Sequence, residues 1–140
     1  MVVDASVMTS AILPEDVNYQ ATWTWLDAYL MGGGTLRAPI LLLVEVAGAI
    51  ARRTGDPSLG HDAVRYLQAL PGLTIVPVDQ QLGTHAWQLA ADLRLKGADA
   101  TYVALAAQEQ IGLVTWDEEQ RQRGAQLVTT LTPNQIETGQ

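Results

Sequence analysis

Four acidic residues stand where a carboxylate is either a local structural device or part of a chemical site: Asp4, Glu45, Asp99 and Asp117. Asp4 follows the short apolar run Val2-Val3, and Asp117 comes just after the run Leu113 to Thr115. Both runs read as strands, and in a parallel sheet both acids then sit at the carboxyl edge, where open α/β sheets place their sites. Asp99 opens a helical stretch with Tyr102, Val103 and Ala106 on its own face, which predicts a half-buried carboxylate. Glu45 is the only charge between Arg37 and Arg52, in a helix apolar on most sides. A buried, unpaired carboxylate costs several kcal/mol, so a metal ion or a long-range partner is the expected resolution. Singly, each acid also has an ordinary reading. Asp4 can accept backbone N–H groups after a strand, Asp99 and Asp117 can cap helices, Asp117 and Gln120 have capping-box spacing, and Glu45 can lie on a solvated face.

If the four meet, their chemistry is constrained. Two carboxylates about 4 Å apart repel by ~4 kcal/mol at an effective dielectric near 20. Without cations some must take up protons, with pKa values raised by their neighbours. An all-oxygen acidic set suits a hard divalent ion, Mg²⁺ or Mn²⁺, which polarises a bound water and stabilises charge on a phosphoryl group under in-line attack.

The elements that would position these acids alternate short β-type runs with longer helical ones, the pattern of a parallel sheet with crossover helices. Ser6 is placed to cap a first helix through Leu13. A second helix carries Tyr19, Trp23, Leu26 and Leu30 on one face and stops at Gly32-Gly33-Gly34. A strand from Thr35 to Ala38 leads to Pro39, suited to the first turn of a helix reaching Arg53 with Ile40, Leu43, Val44, Ala47, Ile50 and Ala51 as its core stripe. Ser58 caps a helix bearing Ala63, Val64, Leu67 and Leu70. The strand Leu73 to Val76 follows, then a helix opened by Asp79 with Leu82, Ala86, Leu89 and Leu93 on one face. After Gly97 come the Asp99 helix, the strand Leu113 to Thr115, a helix from Asp117 to Gly124, and an edge strand at Leu127-Val128. Residues 1–130 make one domain, and 131–140 are expected to form a loose tail.

Composition narrows the class. Of the 140 residues 48% are hydrophobic and 16% charged, which describes an ordinary globular domain rather than a disordered chain. The absence of cysteine removes disulfides, thiolate metal sites and cysteine nucleophiles. The opening MVVDAS lacks the basic segment of an export signal, and no apolar run approaches the ~18 residues of a membrane span, so a cytoplasmic location is expected. His61 and His85 stand alone, without metal-ligand spacing.

Four stretches together resemble the PIN-domain nucleases, especially the VapC-like toxin ribonucleases of bacterial toxin–antitoxin pairs: VVDASV at 2–7, APILLLVEVAGAI at 38–50, GADATYVALA at 97–106 and LVTWDEEQ at 113–120. Their order and spacing follow the family, over essentially residues 2–128. The resemblance implies that Asp4, Glu45, Asp99 and Asp117 are the catalytic and metal-holding acids. Ser6 and Thr115 become hydroxyls that hold carboxylates in place. It also implies a parallel sheet in the order 3-2-1-4-5 with helices on both faces, an RNA substrate, a small antitoxin partner and a homodimer. A further acid in the family's place after the fourth would be Glu118 or Glu119. Trp116 is bulkier than the family's residue between Thr115 and Asp117, and reads either as core or as a base-stacking platform.

Two features pull the other way. The net charge of −7 disfavours general electrostatic binding of nucleic acid. The answer is local: cations at the site would invert its sign toward phosphate. Arg52, Arg53 and Arg121, with Arg94, Lys96 and Arg123, flank the motifs as backbone contacts or as solvated helix ends. An Asp after the first strand also occurs in phosphohydrolases of the haloacid dehalogenase type, which want a second Asp where this chain has Ser6. A catalytically silent RNA-binding or interaction module on the same fold is the non-enzymatic alternative.

Overall fold

The computed structural model describes residues 1–137, and residues 138–140 of the expected tail lie outside the described residues. Val2–Val3 (β1), Leu36–Pro39 (β2), Leu73–Val76 (β3), Leu113–Val114 (β4) and Thr130–Leu131 (β5) form one parallel sheet in the order β3-β2-β1-β4-β5. That is the order the resemblance implied. β1 and β4 are two residues long and wholly buried, which suits strands covered on both faces.

The path from β1 to β2 to β3 steps one way along the sheet; the path from β3 to β4 jumps back past β1, and β5 continues outward. Right-handed crossovers then place Ala5–Ile12 (α1), Tyr19–Met31 (α2), Leu41–Thr54 (α3) and Pro57–Ala69 (α4) on one face. Gln80–Asp92 (α5), Gly97–Glu109 (α6) and Glu118–Gly124 (α7) fall on the other. The packing agrees: α1 touches α2 and α3, α3 lies along α4, and α6 packs on α5 and α7. Gly60 makes the α3–α4 approach possible, since a Cβ there would stand 2.7 Å from the Ala47 carbonyl oxygen. The direction of winding reverses between β1 and β4, so the crevice at their carboxyl ends is the switch point.

Several local expectations move. Asp4, not Ser6, caps α1 by accepting the Val7 N–H, and Asp56, not Ser58, caps α4. The second strand runs one residue later, with Pro39 closing it rather than opening α3. In α2 the buried residues are Thr22, Trp25 and Leu26, because the helix is covered by α1 on one side and by a 3₁₀ turn, Pro133–Gln135, on another. In α3 the buried set is Leu42, Leu43, Val46 and Ile50, while Ile40 and Val44 are exposed. The last strand is Thr130–Leu131 rather than Leu127-Val128, whose N–H groups return to the Gly124 carbonyl at the exit of α7. The segment after Thr132 starts with that 3₁₀ turn, closed by a Thr132–Gln135 capping box.

Candidate active site

Asp4 is the centre of the crevice. Val3 pairs with Val114, so Asp4 and Thr115 follow at adjacent positions on neighbouring strands. The Thr115 hydroxyl donates to Asp4 Oδ2 at 2.9 Å, the Ser6 hydroxyl donates to Oδ1 at 2.6 Å, and the Val7 N–H reaches Oδ1 at 3.3 Å. Each hydroxyl is also an acceptor for the loop after β4: Trp116 N–H donates to Ser6 Oγ and Asp117 N–H to Thr115 Oγ1, both at 2.9 Å. With both protons spent on Asp4, the 3.4 Å approach of Ser6 Oγ and Thr115 Oγ1 is a contact between acceptors, not a bond. The small hydroxyls therefore hold the Asp4 carboxylate and tie the β1 and β4 loops together through it.

Asp117 caps α7, its Oδ1 accepting the Gln120 N–H at 2.8 Å. The other half of the capping box is absent. The Asp117 N–H is held by Thr115, and the fully buried Gln120 turns its amide N–H to the Asp99 carbonyl oxygen at 3.2 Å. Gln120 thus links the backbones carrying two of the acids, a role that its spacing alone did not reveal. Asp99 lies in the first turn of α6, one turn inside the Lys96 cap, and among the described residues no donor bonds to its carboxylate. Glu45 is half-buried on α3, and its partner is the hydroxyl of Tyr102, which donates to Oε1 at 2.7 Å. The sequence pointed to Tyr102 only as core. Its position one turn after Asp99, on the same helical side, was the signal that it reaches the acids.

The electrostatics join these groups. Burial above all pushes the Asp4 carboxyl up to about 7, against the pull of its Ser6, Thr115 and Val7 bonds, and Asp99 adds to the push. Asp99 is pushed up to about 6, first by burial and then by Asp117 and Glu45; Lys96 opposes this and Glu119 adds to it. The expected push from neighbouring carboxylates is there, but desolvation comes first for both groups. None of the four acids forms a salt bridge among the described residues, where the acids so paired are Asp16, Asp62, Glu109 and Glu119. Of the two further acids, Glu119 adds to the push on Asp99 although Arg123 pairs with it at 2.7 Å, whereas Glu118 accepts from Gln122.

A cleft of about 520 Å³ is lined by Ser6 and, of the four acids, by Glu45, with Asn18, Arg52, Arg53 and Trp116 in its walls. Arg53 is tied to Asp16 at 2.8 Å, while Arg52 has no acidic partner among the described residues. Arg121 lies outside this cleft. The Trp116 ring packs partly on the core, and its indole N–H donates to Thr22 Oγ1 at 2.8 Å. A second cavity, of about 500 Å³, lies at the amino ends of β2 and β3 between α2 and α4; its walls are mainly apolar, with Asp27 the one acid. Among the described residues no helix is long and apolar enough to cross a membrane.

Among curated protein sequences none matches the chain significantly. Solved structures do match in fold. The VapC20 toxin of Mycobacterium tuberculosis, described as cleaving the sarcin–ricin loop, superposes with a TM-score of 0.73 at 17% identity over 88% of this chain and 94% of its own. The FitAcB structure from Neisseria gonorrhoeae gives 0.72 at 17% identity over 96% and 99%. A toxin–antitoxin complex from Klebsiella pneumoniae gives 0.69 at 18% identity over 96% and 98%. The PIN domain family matches residues 1–126, nearly the whole chain and all four acids, and the protein belongs to that family.

Proposed function

We propose that the protein is a divalent-metal-dependent endoribonuclease, hydrolysing RNA phosphodiester bonds as the toxin of a toxin–antitoxin pair. One observation carries the reading. Asp4 and Asp99 both have raised pKa values, Asp99 adding to the push on Asp4 and Asp117 and Glu45 adding to the push on Asp99, and none of the four is neutralised by an arginine or lysine salt bridge among the described residues.

The donor set fits a hard ion. It is all oxygen, and the repulsion that lifts Asp99 would be relieved by a cation. Among the described residues no three acidic or imidazole side chains converge into a ready-made cage. Mg²⁺ keeps several of its waters and takes one or two carboxylates directly, so part of the acidic set would reach the ion through those waters. Asp4, Glu45, Asp99 and Asp117 would hold it, and when bound it supplies a polarised water and charge stabilisation at phosphorus. Ser6 and Thr115 keep Asp4 oriented with both oxygens occupied. Arg52 is available for an RNA phosphate, with Arg53 and Arg121 as weaker flanking contacts, and the Trp116 ring offers a stacking face to an unpaired base. Glu119 extends the acidic set toward Asp99. The similarity to structures of toxin–antitoxin complexes supports a small antitoxin that covers this cleft, and a homodimer is part of the same reading. A chain without cysteine suits the reducing cytoplasm where such an RNA substrate is found.

The test is cleavage of RNA by the purified chain with Mg²⁺ or Mn²⁺ and with a chelator, beside Asp4→Asn and Asp99→Asn. Cleavage should require the ion and fall by at least about a hundredfold in each variant. Mn²⁺ should also raise the melting temperature of the wild type by mass action. Cleavage that survives chelation would remove the metal from the mechanism. A chain that neither cleaves nor gains stability from Mn²⁺ is a silent scaffold.

A further inference from the structure

We infer that Tyr102 is a positioning residue for metal binding, its buried hydroxyl fixing the Glu45 carboxylate over the carboxyl edge of the sheet; this rests on the metal-site reading above. Glu45 comes from α3 on one face and Tyr102 from α6 on the other, 57 positions apart, and they meet at 2.7 Å. Each of the other held acids has a backbone donor close in sequence: Val7 for Asp4 and Gln120 for Asp117. Glu45 has none. It sits within a helix, at the end of the longest and most freely rotating side chain of the four, so its orientation needs a donor from elsewhere.

Tyr102 has the properties of such a donor. It is 1% exposed, so its ring cannot swing out to solvent. A buried hydroxyl is costly unless bonded, and the bond it makes is to a charge. A phenol has one proton, and the 2.7 Å bond commits it to Glu45 Oε1. Packing alone would be met by phenylalanine. The hydroxyl is present for the carboxylate.

The experiment uses the full chain and Mn²⁺ alone, with binding followed by calorimetry and folding by metal-free melting. Tyr102→Phe should weaken Mn²⁺ binding about tenfold to a hundredfold, the range for losing a partner that orients a ligand, while the metal-free melting temperature shifts by only a few degrees. In a Glu45→Gln background the same change should weaken Mn²⁺ no further. Glu45→Asp, which draws the carboxylate back by one methylene on a half-buried helix position, should reproduce the loss if Tyr102→Phe folds poorly. Unchanged Mn²⁺ affinity in Tyr102→Phe, or an equal loss with and without Glu45, would overturn the proposal and leave the metal site standing. Wild-type protein that binds no Mn²⁺ would overturn both.

Discussion

The two sides of the acidic crevice are built differently. Asp4 is 4% exposed, yet three donors hold its two oxygens in place. Asp99 is only half-buried, faces three other carboxylates, and has no donor of its own among the described residues. The first is a finished socket that orients a charge before any ligand arrives. The second is a carboxylate whose surroundings favour a proton until a cation replaces it. Both are raised above the usual carboxylate range, but Asp4 by dehydration that its hydrogen bonds only partly offset, and Asp99 by dehydration reinforced by like charge.

The largest effect that separates the two sides is the response of the metal-free protein to pH. A carboxyl raised in the folded state binds more protons folded than unfolded, so its contribution is fully present below the unfolded value near 4 and is lost as pH rises through the folded value. For Asp4, raised to about 7, the loss between pH 4 and 8 is on the order of 4 kcal/mol. Asp99 acts in the same direction up to about 6, with a smaller contribution because solvent screens it. Melting followed across this range in a chelator should show stability falling with pH. Asp4→Asn should flatten most of the slope and Asp99→Asn a lesser part. At pH 8, Asp99→Asn should stabilise the metal-free protein outright by relieving repulsion. Asp4→Asn should gain less, because the amide keeps one acceptor oxygen but sets its NH2 group against a donor, which must turn its proton away. Equal slopes in the two variants would erase the distinction drawn here. With Mn²⁺ present the trend should reverse above pH 6, since ligation requires the ionised acids.

The next effect is smaller and belongs to the socket alone. Thr115→Val removes the donor to Asp4 Oδ2 and, with the same atom, the acceptor of the Asp117 N–H, so one change loosens two acids. Mn²⁺ affinity should fall by roughly 10- to 100-fold. Ser6→Ala loosens Asp4 and the Trp116 N–H but leaves Asp117 in place, and should cost less. If Ser6→Ala proves the more damaging, the link to Asp117 is not what Thr115 contributes.

How much of this was legible follows from which distances the sequence encodes. The alternation of apolar runs and helices announced a parallel α/β domain, and two acids directly after strands placed Asp4 and Asp117 on one edge. That β1 and β4 are neighbours came from the family resemblance, because periodicity carries no strand order. The α3 stripe was misassigned because Leu41 to Val44 are all apolar, which leaves the 3.6-residue phase undetermined; burial of Leu42 and Val46 was set by what α3 packs on. The last strand was displaced because the backbone of Leu127 and Val128 was already committed to the turn ending α7. The Glu45–Tyr102 bond crosses from one face of the sheet to the other, and no local pattern records it. Glu45 was nonetheless marked by its isolation: a lone acid in an apolar helix called for a metal ion or a distant partner, and the Tyr102 hydroxyl is one such partner.

The smallest predicted effect concerns the wall between cleft and socket. Ser10 spends its proton on the Val7 carbonyl oxygen at 2.7 Å, so in the 2.7 Å contact between Ser10 and Thr22 the proton comes from Thr22. Thr22 is then free to accept the indole N–H of Trp116, and the chain of bonds runs from Trp116 through α2 to the backbone of α1. Trp116→Phe keeps an aromatic face but leaves the buried Thr22 oxygen without its donor, which should cost about 1 kcal/mol, or a melting temperature lower by roughly 3 °C. Thr22→Val should cost a similar amount, and the two changes together little more than either alone. Mn²⁺ affinity should stay at the wild-type value in Trp116→Phe, because the Trp116 backbone N–H that reaches Ser6 is unaltered. Trp116→Ala keeps that N–H as well but removes the ring, so a loss of single-stranded RNA affinity confined to Ala would assign the ring to a base. A fall in Mn²⁺ affinity in Trp116→Phe would instead mean that the indole, acting through the loop it anchors, sets the Ser6–Asp4 geometry, and that cleft and socket are one device.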